Sequence, residues 1–183
     1  MGSHGGKGRT LEDEARLFQE LAKATSYDAD QGRIFWTIKP RPQTNVGDEA
    51  GTVDKDGYRQ IRNQGKIVKT HRFIFWLETG TNPVIVDHRS HEKNERGEYD
   101  NRFSNLRGAT QQQNLMNAGA QRNNTTGFKG VYRKRGKYAA SISVNGKTVH
   151  LGSHDTPLEA FRAYQEAAER YHGEFANTGE VNK

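Results

Sequence analysis

From Thr10 onward, apolar residues recur at helical spacing: Leu11, Ala15, Phe18, Leu21 and Ala22, which predicts one face of an amphipathic helix. Thr10 stands where an N-cap belongs, and Asp13 and Glu14 put negative charge in the first turn. Asp28-Ala-Asp-Gln-Gly32 has turn composition. It lacks the downstream Glu and the spacing of a calcium loop. Ile34-Phe-Trp-Thr-Ile38 reads as a strand, broken by Pro40-Arg-Pro42. The region from Ala50 to Lys69 predicts a meander of Gly51–Val53, Tyr58–Ile61 and Ile67–Lys69, with turns at Asp54–Gly57 and Asn63–Gly65. Thr70 is placed to cap a helix over His71–Glu78, which Gly80 would end. Phe73, Ile74, Trp76 and Leu77 are its core positions; His71 either lines a cleft or packs.

The β-branched run Val84-Ile-Val86 predicts a strand with Asp87-His88 at its end. Arg89 to Asp100 is charged and aperiodic, the pattern of an exposed loop. Leu106–Ala109 is strand-like, and Thr110 then caps a helix through about Asn117. Gln121 to Gly127 has linker composition. Beyond it, Gly130–Arg133, Tyr138–Val144 and Thr148–Leu151 read as strands, with Asn145-Gly146 a strong two-residue hairpin signal. Thr156-Pro-Leu-Glu159 is a capping box with proline at the first helical position. Leu158, Phe161, Tyr164, Ala168 and Tyr171 form one face of that helix, and Gly173 stops it. The class is α+β: a helix and meander, a strand–loop–strand–helix centre, then a three-stranded antiparallel sheet packed on one helix. There is no internal repeat.

Composition narrows the chemistry. Only 32% of the 183 residues are hydrophobic and the mean hydropathy is −1.02, so any core is thin. There are no cysteines, which excludes disulfides and thiolate zinc sites. No apolar run approaches the ~20 residues of a membrane span, no signal peptide is visible, and Met1–Gly8 reads as disordered or tag-derived. The expected setting is cytoplasmic, without a membrane partner. Net charge is +6. Between Gln121 and His150 there are seven Lys/Arg and no Asp or Glu. A concentrated excess of that kind suits a polyanion, because neutralising phosphates releases condensed counterions.

The centre of the chain carries candidate hydrolytic chemistry. Breaking a phosphodiester requires an activated water, stabilisation of the pentavalent phosphorus and help for the departing oxygen; a divalent metal can serve the last two. Mg²⁺ prefers oxygen ligands and keeps several waters. Asp87 offers a carboxylate and Asn114 a carboxamide oxygen. His88, with an ordinary pKa near ~6.5, is able to accept a proton from water at neutral pH once a hydrogen bond orients its ring. Strand neighbours point to opposite sides, so Asp87 and His88 serve one phosphate only if the strand bends or ends there.

His71-Arg-Phe-Ile, Val86-Asp-His88, Asp100-Asn-Arg-Phe-Ser-Asn-Leu-Arg107, Ala109-Thr110 and Gln113-Asn114 together resemble the HNH homing endonucleases of phages, with their ββα-metal fold. The resemblance runs from about Ile34 to Asn117. It implies that Asp87 and Asn114 hold a metal ion, Mg²⁺ or else Mn²⁺ or another divalent cation, and that His88 is the general base. Asn105 would be structural, pinning the loop to the histidine strand through backbone hydrogen bonds. Arg102 and Arg107 would hold phosphates, with an internal pairing role equally open for Arg107. The departure is the loop His91 to Tyr99, longer than the family's usual turn, in which His91 is an extra potential ligand.

Downstream, Gly127-Phe-Lys-Gly-Val131, Gly136-Lys-Tyr-Ala-Ala140, Leu151-Gly152, Asp155-Thr156 and Tyr171-His-Gly-Glu-Phe-Ala176 resemble the plant ethylene-response-factor DNA-binding domain of Apetala-two type, which is also found fused behind phage HNH nucleases. The resemblance implies DNA contacts from Lys129, Tyr132, Arg133, Lys134, Arg135, Lys137 and Tyr138. A β-ribbon can enter a major groove and read base edges with Arg and Lys. The hairpin at Arg135-Gly136 is shorter than in plant versions, Ser141 and Ser143 replace charged residues, and His150 stands where an aromatic often sits.

The expected organisation is therefore a nuclease domain over 10–120 with its core at 71–118, a linker over 121–127, a DNA-binding domain over 128–178 and a tail over 179–183. The expected activity is Mg²⁺-dependent cleavage of double-stranded DNA, by a monomer or homodimer, in a phage-infected bacterial cell. Two rivals remain: a non-catalytic DNA-binding regulator with a spent nuclease core, and a protein that binds or cuts RNA.

Overall fold

The computed structural model describes residues 9–120 and 123–177. The N-terminal stretch 1–8, the linker residues Gln121 and Arg122, the last residue of the expected DNA-binding domain, 178, and the expected tail 179–183 lie outside the described residues. The chain divides into two compact units that meet in sequence at Ala109 and Thr110. Mixed helix and antiparallel sheet make the class α+β. Among the described residues, no helix is long and apolar enough to cross a membrane.

In the first unit, helix α1 (Leu11–Ala22) begins at a reciprocal box: the Thr10 hydroxyl accepts from Asp13 N, and the Asp13 carboxylate accepts from Thr10 N. Leu17, Phe18 and Leu21 are its buried face, while Leu11, expected there, is 41% exposed. Strand β1 (Thr25–Asp28), which the apolar pattern did not predict, pairs antiparallel with β2 (Arg33–Trp36). Alternation turns Ile34 and Trp36 inward. The meander is present as β3 (Thr52–Val53), β4 (Arg59–Asn63) and β5 (Lys66–Lys69), in the order β3-β4-β5. Gln64 and Gly65 both have positive φ between β4 and β5, the backbone of a tight primed hairpin turn.

Helix α2 (Thr70–Thr79) follows β5 directly, and Gly80 closes it in the left-handed conformation as expected. Thr70 is not the cap: it lies fully buried in the first turn, and Lys69 takes the cap position with no side-chain hydrogen bond. Phe18 packs against Phe73 and Trp76, with ring centroids 5.6 and 5.8 Å away. Arg72 staples the helices to the chain beyond them. It donates to both Glu14 oxygens, to Asn82 Oδ1 and to the carbonyls of Pro83 and Val84. That fixes the entry to β6 (Ile85–His88), which pairs antiparallel with β7 (Leu106–Ala109).

The second unit opens with α3 (Gln111–Asn117), whose capping box joins Thr110 and Gln113. Its sheet has the order β10-β9-β8, from β8 (Val131–Lys134), β9 (Lys137–Val144) and β10 (Lys147–His154). Both hairpins turn on two residues of positive φ, Arg135-Gly136 and Asn145-Gly146. Helix α4 (Pro157–His172) starts at the predicted Thr156–Glu159 box. It buries Ala160, Phe161, Tyr164 and Ala168 against Val131, Ala140 and Ile142. Leu158 and Tyr171, expected on that face, are 44% and 45% exposed. Alanines take the contact positions, and small side chains let the helix approach the sheet closely.

Gly130 is where that approach is tightest. Its φ is +73°, and a Cβ there would stand 2.1 Å from the Tyr164 ring. Gly130→Ala is therefore expected to lower stability by roughly 2–4 kcal/mol, combining left-handed strain with overpacking. Urea denaturation followed by near-ultraviolet dichroism would measure it; an unchanged midpoint would refute the packing described.

Candidate active site

The β6–β7 hairpin presents the Asp-His pair. Register sets Asp87 opposite Arg107 and His88 opposite Leu106. β6 ends at His88, and the chain then turns, with Arg89 N donating to Asn105 O at 2.8 Å. Asn105 holds the turn through its side chain as well. Its Oδ1 accepts from Ser90 N at 2.8 Å, and its Nδ2 donates to Asp100 O at 2.9 Å and Ser90 O at 3.4 Å.

His88 is buried, and its Nε2 lies 2.9 Å from Asn101 Oδ1. A carbonyl oxygen can only accept, so the ring proton sits on Nε2 and the basic lone pair belongs to Nδ1. Asn101 is itself fixed from behind. The turn at Gly32 presses on the Asn101–Arg102 backbone so closely that a Cβ on Gly32 would lie 2.3 Å from Arg102 N. Three rings surround His88: His71 edge-on at 4.9 Å, Tyr99 at 5.3 Å and Tyr58 at 5.8 Å. Burial pushes the His88 pKa below the ordinary imidazole value, although the Asn101 hydrogen bond pulls the other way. Burial holds His71 well below it too, with His88 adding to the effect. His71 thus packs against His88 as a neutral imidazole.

Asp87 is buried and held by Arg107, whose Nε and Nη2 donate to Oδ2 at 3.0 and 2.9 Å. Its other oxygen lies 3.9 Å from His91 Nε2. Of the two roles open to Arg107, the structure displays the internal pairing. Arg102 stays on the exposed side of the loop, clamped to both oxygens of Asp100. The Asp100 carboxyl is held below its usual range chiefly by that hydrogen bond.

The long loop is not simply exposed. Glu98 is buried and accepts from Arg59 Nε and Nη2 at 3.1 and 2.9 Å. Arg59 and Arg96 both reach Glu49 as well, and Tyr99 N donates to Gly57 O. A charged, aperiodic sequence is thus welded to the meander by ion pairs, which hydrophobic periodicity cannot reveal. Asn101 and Glu98 are the site-supporting residues that the sequence pattern did not single out.

Among the described residues, no group of three or more His, Asp or Glu side chains is arranged to hold a metal ion. The set expected from the resemblance is sparser, one carboxylate and one carboxamide. Asp87 suits a hydrated, weakly held cation: Arg107 orients one of its oxygens and partly offsets its charge. Asn114 lies on α3, in the second unit.

On the sheet of the second unit, alternation separates the predicted DNA contacts. Ala140 and Ile142 face the helix, so Lys137, Ala139, Ser141 and Ser143 share the outer face, with Tyr132 opposite Ala139 and Lys134 opposite Lys137. Ser141 faces His150 and Ser143 faces Thr148 on that side. Arg133 and Tyr138 are partners on the helix-side face, joined by a 3.0 Å hydrogen bond with the guanidinium 5.3 Å from the ring centre. Arg135 sits at the exposed turn. Lys129 points inward, its ammonium on the carbonyls of Met116 and Ala118, and burial lowers its pKa to about 8.

Over 134 residues, 71% of its length, the chain is 36% identical to a protein of Acanthamoeba polyphaga mimivirus named an uncharacterized HNH endonuclease. The chain is a homologue of a protein named for HNH nuclease activity. The matched region is 66% of that relative, just under two thirds of its length. No family model and no solved structure matches the chain. The similarity supports a nuclease.

Proposed function

We propose that this protein is a metal-dependent HNH endonuclease of homing type. It would hydrolyse phosphodiester bonds in duplex DNA to leave 5′-phosphate and 3′-hydroxyl ends, using the C-terminal sheet to help select the site. The observation that carries this reading is His88: a buried imidazole whose proton is assigned by Asn101, beside a carboxylate oriented by Arg107, in a homologue of a named HNH endonuclease. The resemblance supplies the ββα-metal arrangement and the second ligand.

In this mechanism Asn101 keeps the His88 proton on Nε2, so that Nδ1 takes a proton from the attacking water. Burial, helped by His91 and opposed by the Asn101 hydrogen bond, holds the His88 pKa below the ordinary imidazole value, which favours the uncharged ring at neutral pH. By the resemblance, Asp87 and Asn114 would hold a divalent ion, which would supply charge stabilisation at the phosphate and the departing oxygen. Asn105 keeps the loop against the histidine strand.

On the recognition sheet, Lys134 and Lys137 stand directly opposite one another. Like charges in that arrangement are destabilising, and a phosphate beside them would offset the repulsion, even though Lys137 also reaches Asp155. Tyr132 and Arg135 flank the pair. Beyond Tyr132 on the same face, the small Ser141, Ser143 and Thr148 leave room for close approach of a groove. We infer a monomer that nicks or a homodimer that cuts both strands, acting, as the resemblance implies, in the cytoplasm of a phage-infected bacterial cell.

Incubation of plasmid and viral-genome DNA with the protein should give nicked or linear product in Mg²⁺ and none in EDTA. Duplex RNA should compete poorly. DNA binding without cleavage in Mg²⁺, Mn²⁺ and other divalent ions would identify a non-catalytic regulator instead.

A further inference from the structure

Helix α3 carries Asn114, and its own sequence holds only its start, through the Thr110–Gln113 box. It has seven residues, fewer than two turns, and only Asn117 is buried; Leu115 is 62% exposed. Isolated helices of that length are unstable in water. The last carbonyls of a helix have no partner within it, and here they are claimed from outside. Lys129 Nζ donates to Met116 O at 2.5 Å and also to Ala118 O. Asn177 Nδ2 donates to Asn117 O at 2.7 Å. At the other end, Gln112 Nε2 donates to Asn145 Oδ1 at 3.3 Å, in the turn between β9 and β10. The 3₁₀ turn Gly173–Phe175 also packs on α3. All these partners belong to the sheet-and-helix unit, and the Lys129 cation adds favourable charge at the negative helix end.

We propose that Lys129 and Asn177 are positioning residues for Asn114, so that the recognition unit scaffolds the helix bearing the second metal ligand. This rests on the assignment of Asn114 under the proposed function. Lys129 then has no role in contacting DNA. Asn114 lies only two to four residues before the carbonyls these side chains hold, so fraying from the helix end reaches it within about a turn. The C-terminal unit accordingly acts on metal binding and catalysis as well as on the choice of target.

The test compares the full chain with Asn177→Ala, Lys129→Met, the double variant and Lys129→Arg. Hydrogen exchange in EDTA reads the helix without metal or activity. Amides of 114–118 should lose protection in the double variant while β8 to β10 and α4 keep theirs. Single-turnover cleavage across a Mg²⁺ titration should show the half-maximal concentration raised by about 10-fold or more in the double variant, the scale seen when residues supporting a metal ligand are lost. Lys129→Arg should restore most of it. Duplex binding in EDTA should stay within about twofold, because no base or phosphate contact has been removed. Unchanged protection and metal dependence would overturn the proposal, and so would a loss explained wholly by weaker DNA binding. The underlying reading is tested separately: Asn114→Ala cleaving like the unsubstituted protein removes Asn114 from the site whatever α3 does.

Discussion

His88→Ala is expected to abolish measurable cleavage while leaving duplex binding near normal. Loss of a positioned general base costs about 10²- to 10⁴-fold in rate, and the imidazole packed edge-on to His88 is the deeply buried His71. Asn101→Ala should fall between the two, because it leaves the base present but frees its tautomer. Asn101→Asp should behave differently, since a carboxylate at that position favours the protonated ring. The pH profile separates these cases. The His88 pKa is lowered by burial, so the neutral, competent form persists below the ordinary imidazole value. The acid limb of kcat/KM should therefore lie below about 6.5 in the native protein, and Asn101→Asp should move it upward. Single-turnover assays on a nicked-product substrate, with binding measured in parallel, would read both quantities. Cleavage by His88→Ala at the native rate would remove His88 from the mechanism.

The elements that the sequence announced are those with local signals. Capping boxes at Thr110 and Thr156, the Asn145-Gly146 turn and Gly80 at the end of α2 all depend on residues a few positions apart. Strand β1 was missed because Thr25-Ser-Tyr-Asp28 has no apolar alternation; it exists by pairing with β2. Thr70 misled for a related reason. Its residue type suits a cap, but α2 begins without a break from β5, so the threonine falls inside the helix and is buried. Tertiary context overrode propensity there.

Asp87 and His88 stood out because their types carry chemistry and they adjoin a β-branched run. What supports them was less legible. Asn101 lies 13 positions from His88 and looks like any loop asparagine until the Gly32 turn is found behind it. Glu98 reads as surface charge, yet Arg59, 39 residues earlier, buries it. The two faces of the β8–β9 ribbon were also blurred: Arg133 and Lys134 are neighbours in sequence but lie on opposite sides of the sheet. Contacts between distant segments leave no periodic trace, so charge-bearing residues were located by type and not by partner.

Arg107→Met should destabilise the first unit by about 3–5 kcal/mol, the usual cost of breaking one side of a buried ion pair. Asp87 and Arg107 are 4% and 6% exposed, and the guanidinium makes two hydrogen bonds to one carboxylate oxygen. Methionine keeps most of the side-chain volume, so the loss is chiefly electrostatic: a buried carboxylate deprived of the guanidinium that offsets its charge. Asp87→Asn with Arg107→Met removes both charges and should recover much of the stability while remaining inactive. A double-mutant cycle in urea then isolates the pair. The same variant decides between the two roles that the sequence left open for Arg107. If it only held a phosphate, Arg107→Met would leave the unfolding midpoint unchanged and reduce the slope of log K against log salt by about one. The geometry predicts the opposite pattern, a large fall in stability with the salt slope nearly intact. Added Mg²⁺ should raise the melting temperature of Arg107→Met more than that of the native chain, because a cation at Asp87 replaces the missing charge. Absence of that difference would count against Asp87 as a metal ligand, even with the ion pair established.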